Sequence, residues 1–124
     1  MRYLTSSLED YLEIIYILKQ NSESVGVTDI SQALSISKPS VNKAVNVLKL
    51  QGFVFQEKYG KIDLTEKGEG IAKSIYKKHR ILSEFLSEVL GLDSKTAEVD
   101  ACKIEHILSR ETLSGIEKFL KNKK

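Results

Sequence analysis

Cys102, Glu105 and His106, in the run Asp-Ala-Cys-Lys-Ile-Glu-His that ends at His106, stand at i, i+3 and i+4. On a helix this spacing projects a thiol, a carboxylate and an imidazole from one face. Such a set can converge on one divalent transition-metal ion. Three more residues can join them: Asp10 and Glu13 one helical turn apart near the N-terminus, and His79 in Lys77-Lys78-His79-Arg80. Each has a plainer reading when taken alone. Asp10 and Glu13 fit a solvated stripe shared with Glu9, His79 fits an exposed basic turn, and a lone cysteine is more often a small buried hydrophobe than a ligand.

The elements that must carry these residues are legible from caps and periodicity. Ser6 to Asp10 supplies hydroxyls and acids suited to a helix start, and the apolar run through Leu18 continues a buried helix to about Gln20. Thr28 is the expected cap of a short helix, Asp29 to Leu34. Ser37 is the expected cap of the next, with Pro39 in its first turn, where a missing N–H is harmless. Val41, Ala44, Val45, Val47 and Leu48 form the inward stripe of that third helix, leaving Ser40, Asn42, Lys43, Asn46 and Lys49 outward. Gly52 ends it.

Phe53–Gln56 and Lys61–Leu64 read as the strands of a β-hairpin with Gly60 in the turn. Three helices followed by a hairpin is the order of a winged helix-turn-helix, whose third helix enters the major groove of DNA. Beyond it, a long helix from Thr65 to about Leu90, a break at Gly91–Ser94 with Ser94 as cap, a helix from Lys95 to Leu108 and a last amphipathic helix capped by Ser109 are expected. Leu113, Ile116, Phe119 and Leu120 should point inward on that last helix. The chain is therefore expected to be mainly α: a winged helix-turn-helix DNA-binding domain over residues 1–65 and an all-helical dimerisation and metal-binding domain over residues 66–124.

Composition fits this. With 124 residues, 41% hydrophobic and 29% charged, the chain suits one or two small water-soluble lobes. It has no run approaching the roughly 18 apolar residues of a membrane span and no apolar signal core at its start, so a cytoplasmic protein without membrane partners is expected. The single cysteine excludes an internal disulfide and fits a reducing compartment. Net charge is only +2, but its distribution is uneven. From Ile30 through Gln56 there is no acid, while Lys38, Lys43 and Lys49 fall inside. A segment free of acids suits phosphate, and a carboxylate-rich one suits cations. A metal-ligand face and a DNA-reading element in one chain point to a sensor that couples the two.

Several segments together resemble a known family. Ser-Ser-Leu-Glu-Asp-Tyr-Leu-Glu-Ile-Ile-Tyr (6–16), Ser37-Lys38-Pro39-Ser40-Val41, Leu64-Thr65-Glu66-Lys67-Gly68, Lys78-His79-Arg80 and Ala101–Ser109 resemble the diphtheria toxin repressor family in order and spacing. That family comprises iron-dependent repressors and shorter manganese transport regulators. Larger members add a C-terminal SH3-like domain, and this sequence resembles the shorter form without one.

The resemblance implies that Asp10 and Glu13 match helix-one carboxylate ligands of the manganese branch. His79, Glu105 and His106 match ligands of both branches, and Cys102 matches the iron branch, where the manganese branch has a carboxylate. Ser83 and Glu98 depart from the glutamate and histidine that serve an ancillary ion in the iron branch. Asp10, Glu13, Glu105 and a Cys102 thiolate carry four negative charges, which two divalent ions would balance, so one or two ions per subunit are expected. Mn²⁺ or Fe²⁺ is the expected physiological ion, with Co²⁺ or Zn²⁺ able to substitute in vitro.

The function expected is a metal-activated regulator, most simply a repressor of metal-uptake or metal-homeostasis genes. It would bind a pseudo-palindromic double-stranded operator as a homodimer. An ion held by both lobes would restrict their relative motion and couple metal to DNA binding. Ser37, Pro39, Ser40, Asn42 and Lys43 on the third helix, with Lys58 and Lys61 on the hairpin, are the expected DNA contacts. Two alternatives are a winged-helix factor that answers to a redox signal through Cys102, and one that answers to a small organic ligand. No nucleophile or acid–base dyad stands out, so an enzyme is not expected.

Overall fold

The structure, a computed structural model, describes residues 4–57 and 60–123. Helices α1 (Ser6–Asn21), α2 (Val27–Leu34) and α3 (Lys38–Leu50) precede strands β1 (Val54–Gln56) and β2 (Ile62–Leu64). Helices α4 (Glu66–Glu84), α5 (Ser94–Ile104) and α6 (Arg110–Lys123) follow. The mainly helical class and the helix–helix–helix–hairpin order expected from sequence are what is found. The chain divides into two compact units, residues 1–73 and 74–124, so α4 contributes its first two turns to one unit and the remainder to the other. No helix among the described residues is long and apolar enough to cross a membrane.

In the first unit, Thr5 caps α1 by accepting the Leu8 N–H at 3.1 Å. Tyr11, Leu12 and Ile15 form its buried side. Helix α2 starts earlier than Thr28 would allow. Gly26 is the N-cap, and Asp29 reaches back to accept the Gly26 N–H at 2.8 Å. That bond satisfies the cap amide and draws Val27 and Thr28 into the first turn. Helix α3 begins as expected: Ser37 accepts the Ser40 N–H at 3.3 Å, with Pro39 beside it. Val41, Ala44, Val45 and Leu48 are buried among Leu12, Ile15, Ile30 and Ile62, while Ser40, Asn42, Lys43, Asn46 and Lys49 are exposed. Each such buried aliphatic side chain contributes roughly 1.5–3 kcal/mol, so the inward stripe fixes which face of α3 is left outside.

The strands pair antiparallel, with Val54 opposite Leu64 and Gln56 opposite Ile62. Thr65 joins hairpin to helix: its hydroxyl donates to the Gly52 carbonyl at 2.7 Å and accepts the Gly68 N–H at 3.1 Å. This clamp brings α4 so close to Phe53 that a Cβ on Gly68 would lie 1.9 Å from the Phe53 carbonyl oxygen. Only glycine fits there.

In the second unit, Leu82, Leu86, Ala97 and Ala101 form the core, flanked by Phe85, Leu92, Ile104, Leu108 and Ile116. Periodicity predicted one helix to about Leu90, but Phe85–Val89 is a π-turn, in which the Leu90 N–H reaches the Phe85 carbonyl at 3.3 Å. Asp93, not Ser94, caps α5, accepting the Thr96 N–H at 2.7 Å. Helix α5 stops at Ile104, short of the expected Leu108. Ser109 caps α6 as expected, accepting the Thr112 N–H at 3.1 Å. On α6, Leu120 is buried and Leu113 and Ile116 are half-buried, but Phe119 is exposed. Its ring meets the edge of Phe85, with centroids 6.3 Å apart and planes at 79°, because the stripe one small core can cover is narrower than the apolar stripe of α6.

Candidate metal centre and nucleic-acid interface

Cys102 lies in the last turn of α5, Glu105 is its C-cap and His106 follows in a turn. The Glu105 backbone stays helical (φ −56°, ψ −25°), which preserves the i, i+3, i+4 geometry past the formal end of the helix. One donor atom from each of Cys102, Glu105 and His106 lies within 4.8 Å of the others. Glu105 is only 1% exposed, a placement that a carboxylate tolerates only with cationic or hydrogen-bonding partners.

Those partners come from α4. Glu105 Oε1 lies 2.8 Å from His79 Nδ1. Glu105 Oε2 has no hydrogen-bond partner among the described residues, and its nearest ion-pair neighbour is His106 Nε2 at 3.7 Å. The other nitrogen of His79, Nε2, lies 2.6 Å from Glu98 Oε2, and the Ser83 hydroxyl donates to Glu98 Oε1 at 2.9 Å. The hydrogen bond to Glu105 is the largest influence raising the His79 pKa, which burial opposes and Glu98 reinforces, leaving it pushed up to about 9. Glu98 is in turn held below its ordinary value, chiefly by its hydrogen bond to His79. Near neutral pH, His79 is therefore an imidazolium between two carboxylates. A proton occupies a place that the chemistry of the surrounding donors suits to a metal ion.

Four of the six expected ligands, His79, Cys102, Glu105 and His106, thus belong to one unit, where His79, Cys102 and His106 each bring a donor atom near Glu105. Asp10 and Glu13 belong to the other unit. They stand one turn apart on α1, Asp10 half-buried and Glu13 7% exposed. Sequence reasoning missed the bond between His79 and Glu98. Its only signals were spacings: Ser83 four residues after His79 on α4, and Glu98 four before Cys102 on α5.

On α3, Lys38, Pro39, Ser40, Asn42, Lys43, Asn46 and Lys49 are all exposed. The Ser37 hydroxyl is engaged in the cap and donates to Ser40 Oγ at 2.9 Å, which orients the first turn. Lys61 is exposed at the hairpin. Lys58, also expected there, lies outside the described residues together with Tyr59.

The chain matches two family models along nearly all its length: the iron dependent repressor N-terminal DNA binding domain over residues 3–62, and the iron dependent repressor metal binding and dimerisation domain over residues 65–124. The chain belongs to the iron-dependent repressor family. It is 42% identical over 94% of its length to an uncharacterised HTH-type transcriptional regulator of Methanocaldococcus jannaschii, covering 94% of that protein. It is 38% identical over 90% of its length to the HTH-type transcriptional regulator MntR of Lysinibacillus sphaericus, covering 80% of it. It resembles the structure of the manganese regulator SloR with a TM-score of 0.83 and 34% identity, covering 92% of this chain and 53% of that one. The chain thus spans about half the length of the SloR chain.

Proposed function

We propose that this protein is a metal-dependent transcriptional repressor of metal-uptake or metal-homeostasis genes, activated for operator binding by Mn²⁺ or Fe²⁺. One observation carries the reading: a buried carboxylate, Glu105, has one oxygen with no hydrogen-bond partner among the described residues, and donor atoms of a thiol and two imidazoles lie within 4.8 Å of it. A divalent cation supplies the positive charge that such an oxygen lacks. His79, Cys102, Glu105 and His106 would hold it, and Asp10 and Glu13 complete the ligand set, for one or two ions per subunit. Carboxylate and imidazole donors suit Mn²⁺ and Fe²⁺. The Cys102 thiolate tilts the site toward Fe²⁺ and lets Co²⁺ or Zn²⁺ substitute in vitro.

Because Asp10 and Glu13 stand on a helix of the DNA-binding domain (residues 1–65) and the other four in residues 66–124, an ion bound by both sets couples metal occupancy to the placement of α3. The exposed, acid-free face of α3 supports reading Ser40, Asn42 and Lys43 as operator contacts, with Ser37 and Pro39 shaping the first turn and Lys58 and Lys61 flanking on phosphate. The exposed Leu90, Val99, Ile107 and Phe119 of the second domain supply apolar surface for a homodimer, which would read a pseudo-palindromic duplex in the cytoplasm. No catalytic role is assigned to any residue.

The test is selection of duplex DNA from a random pool with Mn²⁺ present, then affinity for the selected site titrated with Mn²⁺, Fe²⁺, Co²⁺, Zn²⁺ and chelator. Binding should need metal and should be lost in Glu105→Ala and His106→Ala. Metal-independent binding that responds instead to oxidation of Cys102, or to a small organic ligand, overturns the proposal.

A further inference from the structure

Resting on the reading of His79 as a ligand, we infer that Glu98, steadied by Ser83, is a positioning residue that assigns the two nitrogens of His79, holding the Nε2–H and leaving Nδ1 to the cation. The two sides of the imidazole are built differently. On the Nε2 side a single carboxylate stands 2.6 Å away, and its second oxygen is already taken by the Ser83 hydroxyl at 2.9 Å. The short distance marks a charge-assisted bond. Glu98 is more than half exposed, yet both of its oxygens are engaged, so it is anchored to α4 at two points one turn apart.

On the Nδ1 side stands Glu105, buried, with Oε1 at 2.8 Å and Oε2 without a hydrogen-bond partner among the described residues; Cys102 and His106 each bring a donor atom within 4.8 Å of Glu105. A neutral imidazole has one N–H and one lone pair. If the lone pair sat on Nε2, it would face the Glu98 oxygen across 2.6 Å with nothing between them. If it sits on Nδ1, it faces the buried Glu105 carboxylate, near which Cys102 and His106 also bring donor atoms and a cation can stand between them. A carboxylate on the far nitrogen of a metal-binding histidine fixes the tautomer and raises ligand basicity, and loss of such a partner typically weakens metal affinity about 10–100-fold.

The experiment uses the full chain labelled with ¹⁵N-histidine and loaded with ¹¹³Cd²⁺. Imidazole ¹⁵N shifts and ¹¹³Cd–¹⁵N splittings report which His79 nitrogen holds the ion, alongside Zn²⁺ affinity by competition with a chelator. In the wild type, Nδ1 should be coupled to cadmium and Nε2 should keep its proton. Glu98→Ala should weaken Zn²⁺ binding about 10–100-fold and give a mixture of Nδ1- and Nε2-bound forms. Glu98→Gln, whose amide oxygen still accepts the Nε2–H, should keep the Nδ1 form, and Ser83→Ala should fall between. Circular dichroism of the metal-free variants should match the wild type. Cadmium on Nε2 in the wild type makes Glu98 a ligand and overturns the inference. So does a Glu98→Ala variant that keeps the single Nδ1 form, whatever its affinity. A wild type that binds cadmium without engaging His79 fails earlier, at the ligand set itself.

Discussion

His79 Nδ1 stands 2.8 Å from Glu105 Oε1, so the most buried carboxylate of the protein is paired with a histidine whose pKa is pushed up to about 9. The pairing makes the metal-free protein a protonated one. An ionic contact between α4 and α5 therefore exists before any metal arrives.

That contact has a defined pH signature. The folded-state pKa of His79 is raised from 6.5 to about 9, so its stabilisation is fully present below pH 6.5 and is lost as pH rises through about 9. The interval corresponds to roughly 3 kcal/mol at most. Urea unfolding in chelator should show stability falling between pH 6.5 and 9.5, and His79→Gln should remove that fall. A pH-independent wild type in this window would contradict the assignment.

Metal binding should expel that proton. An ion that takes His79 displaces at least one proton at pH 7.5, so apparent affinity should rise about tenfold per pH unit for each proton released, levelling near pH 9. Calorimetry of Zn²⁺ binding in two buffers of different ionisation enthalpy measures the release directly. A value near zero would remove His79 from the ligand set.

Lys43→Ala tests the α3 face. Lys43 is exposed and lies on the side opposite the buried Val41, Ala44, Val45 and Leu48 stripe. The variant should keep wild-type Zn²⁺ affinity but bind operator more weakly, by about 1–3 kcal/mol if it reads a guanine edge. A phosphate contact would instead reduce the salt slope by about one. Unchanged DNA affinity at low and high salt would exclude Lys43 from the interface.

Two glycines on one helix should behave oppositely. A methyl group on Gly68 meets the Phe53 carbonyl at 1.9 Å, whereas one on Gly70 meets nothing within 4 Å. Gly70→Ala should stabilise the protein by about 0.4–1 kcal/mol, through a less flexible unfolded chain. Gly68→Ala should destabilise it by more than that, since the obstacle is backbone and cannot step aside. Thermal unfolding of the two variants side by side decides it.

The parts of the fold that follow from local chemistry were legible in the sequence. Ser37 and Ser109 announce helix starts because a hydroxyl is followed by a suitable first turn, and the α3 stripe sorts its own faces. Where two polar neighbours could both cap, the choice rested on backbone geometry that sequence does not carry. Asp93 won over Ser94, and Gly26 with Asp29 won over Thr28. The π-turn at Phe85–Val89 left no trace, because one extra residue in a turn barely disturbs an apolar period. In the candidate site, the nearness of Cys102, Glu105 and His106 could be read from spacing because helical backbone continues through the C-cap of α5. The bond from His79 to Glu98 could not, since it depends on how α4 and α5 pack.

That π-turn lies between His79 and Glu98 along the chain, and it holds one residue more than an ordinary helical turn. Each helical residue advances the phase by about 100°. The wide turn absorbs its extra residue without shifting that phase, so removing a single amino acid between Phe85 and Val89 would restore plain winding and leave the chain beyond close to its present orientation. A one-codon deletion there should thus be absorbed, whereas the same deletion between His79 and Ser83, where α4 winds regularly, would turn those two residues by about 100° relative to each other.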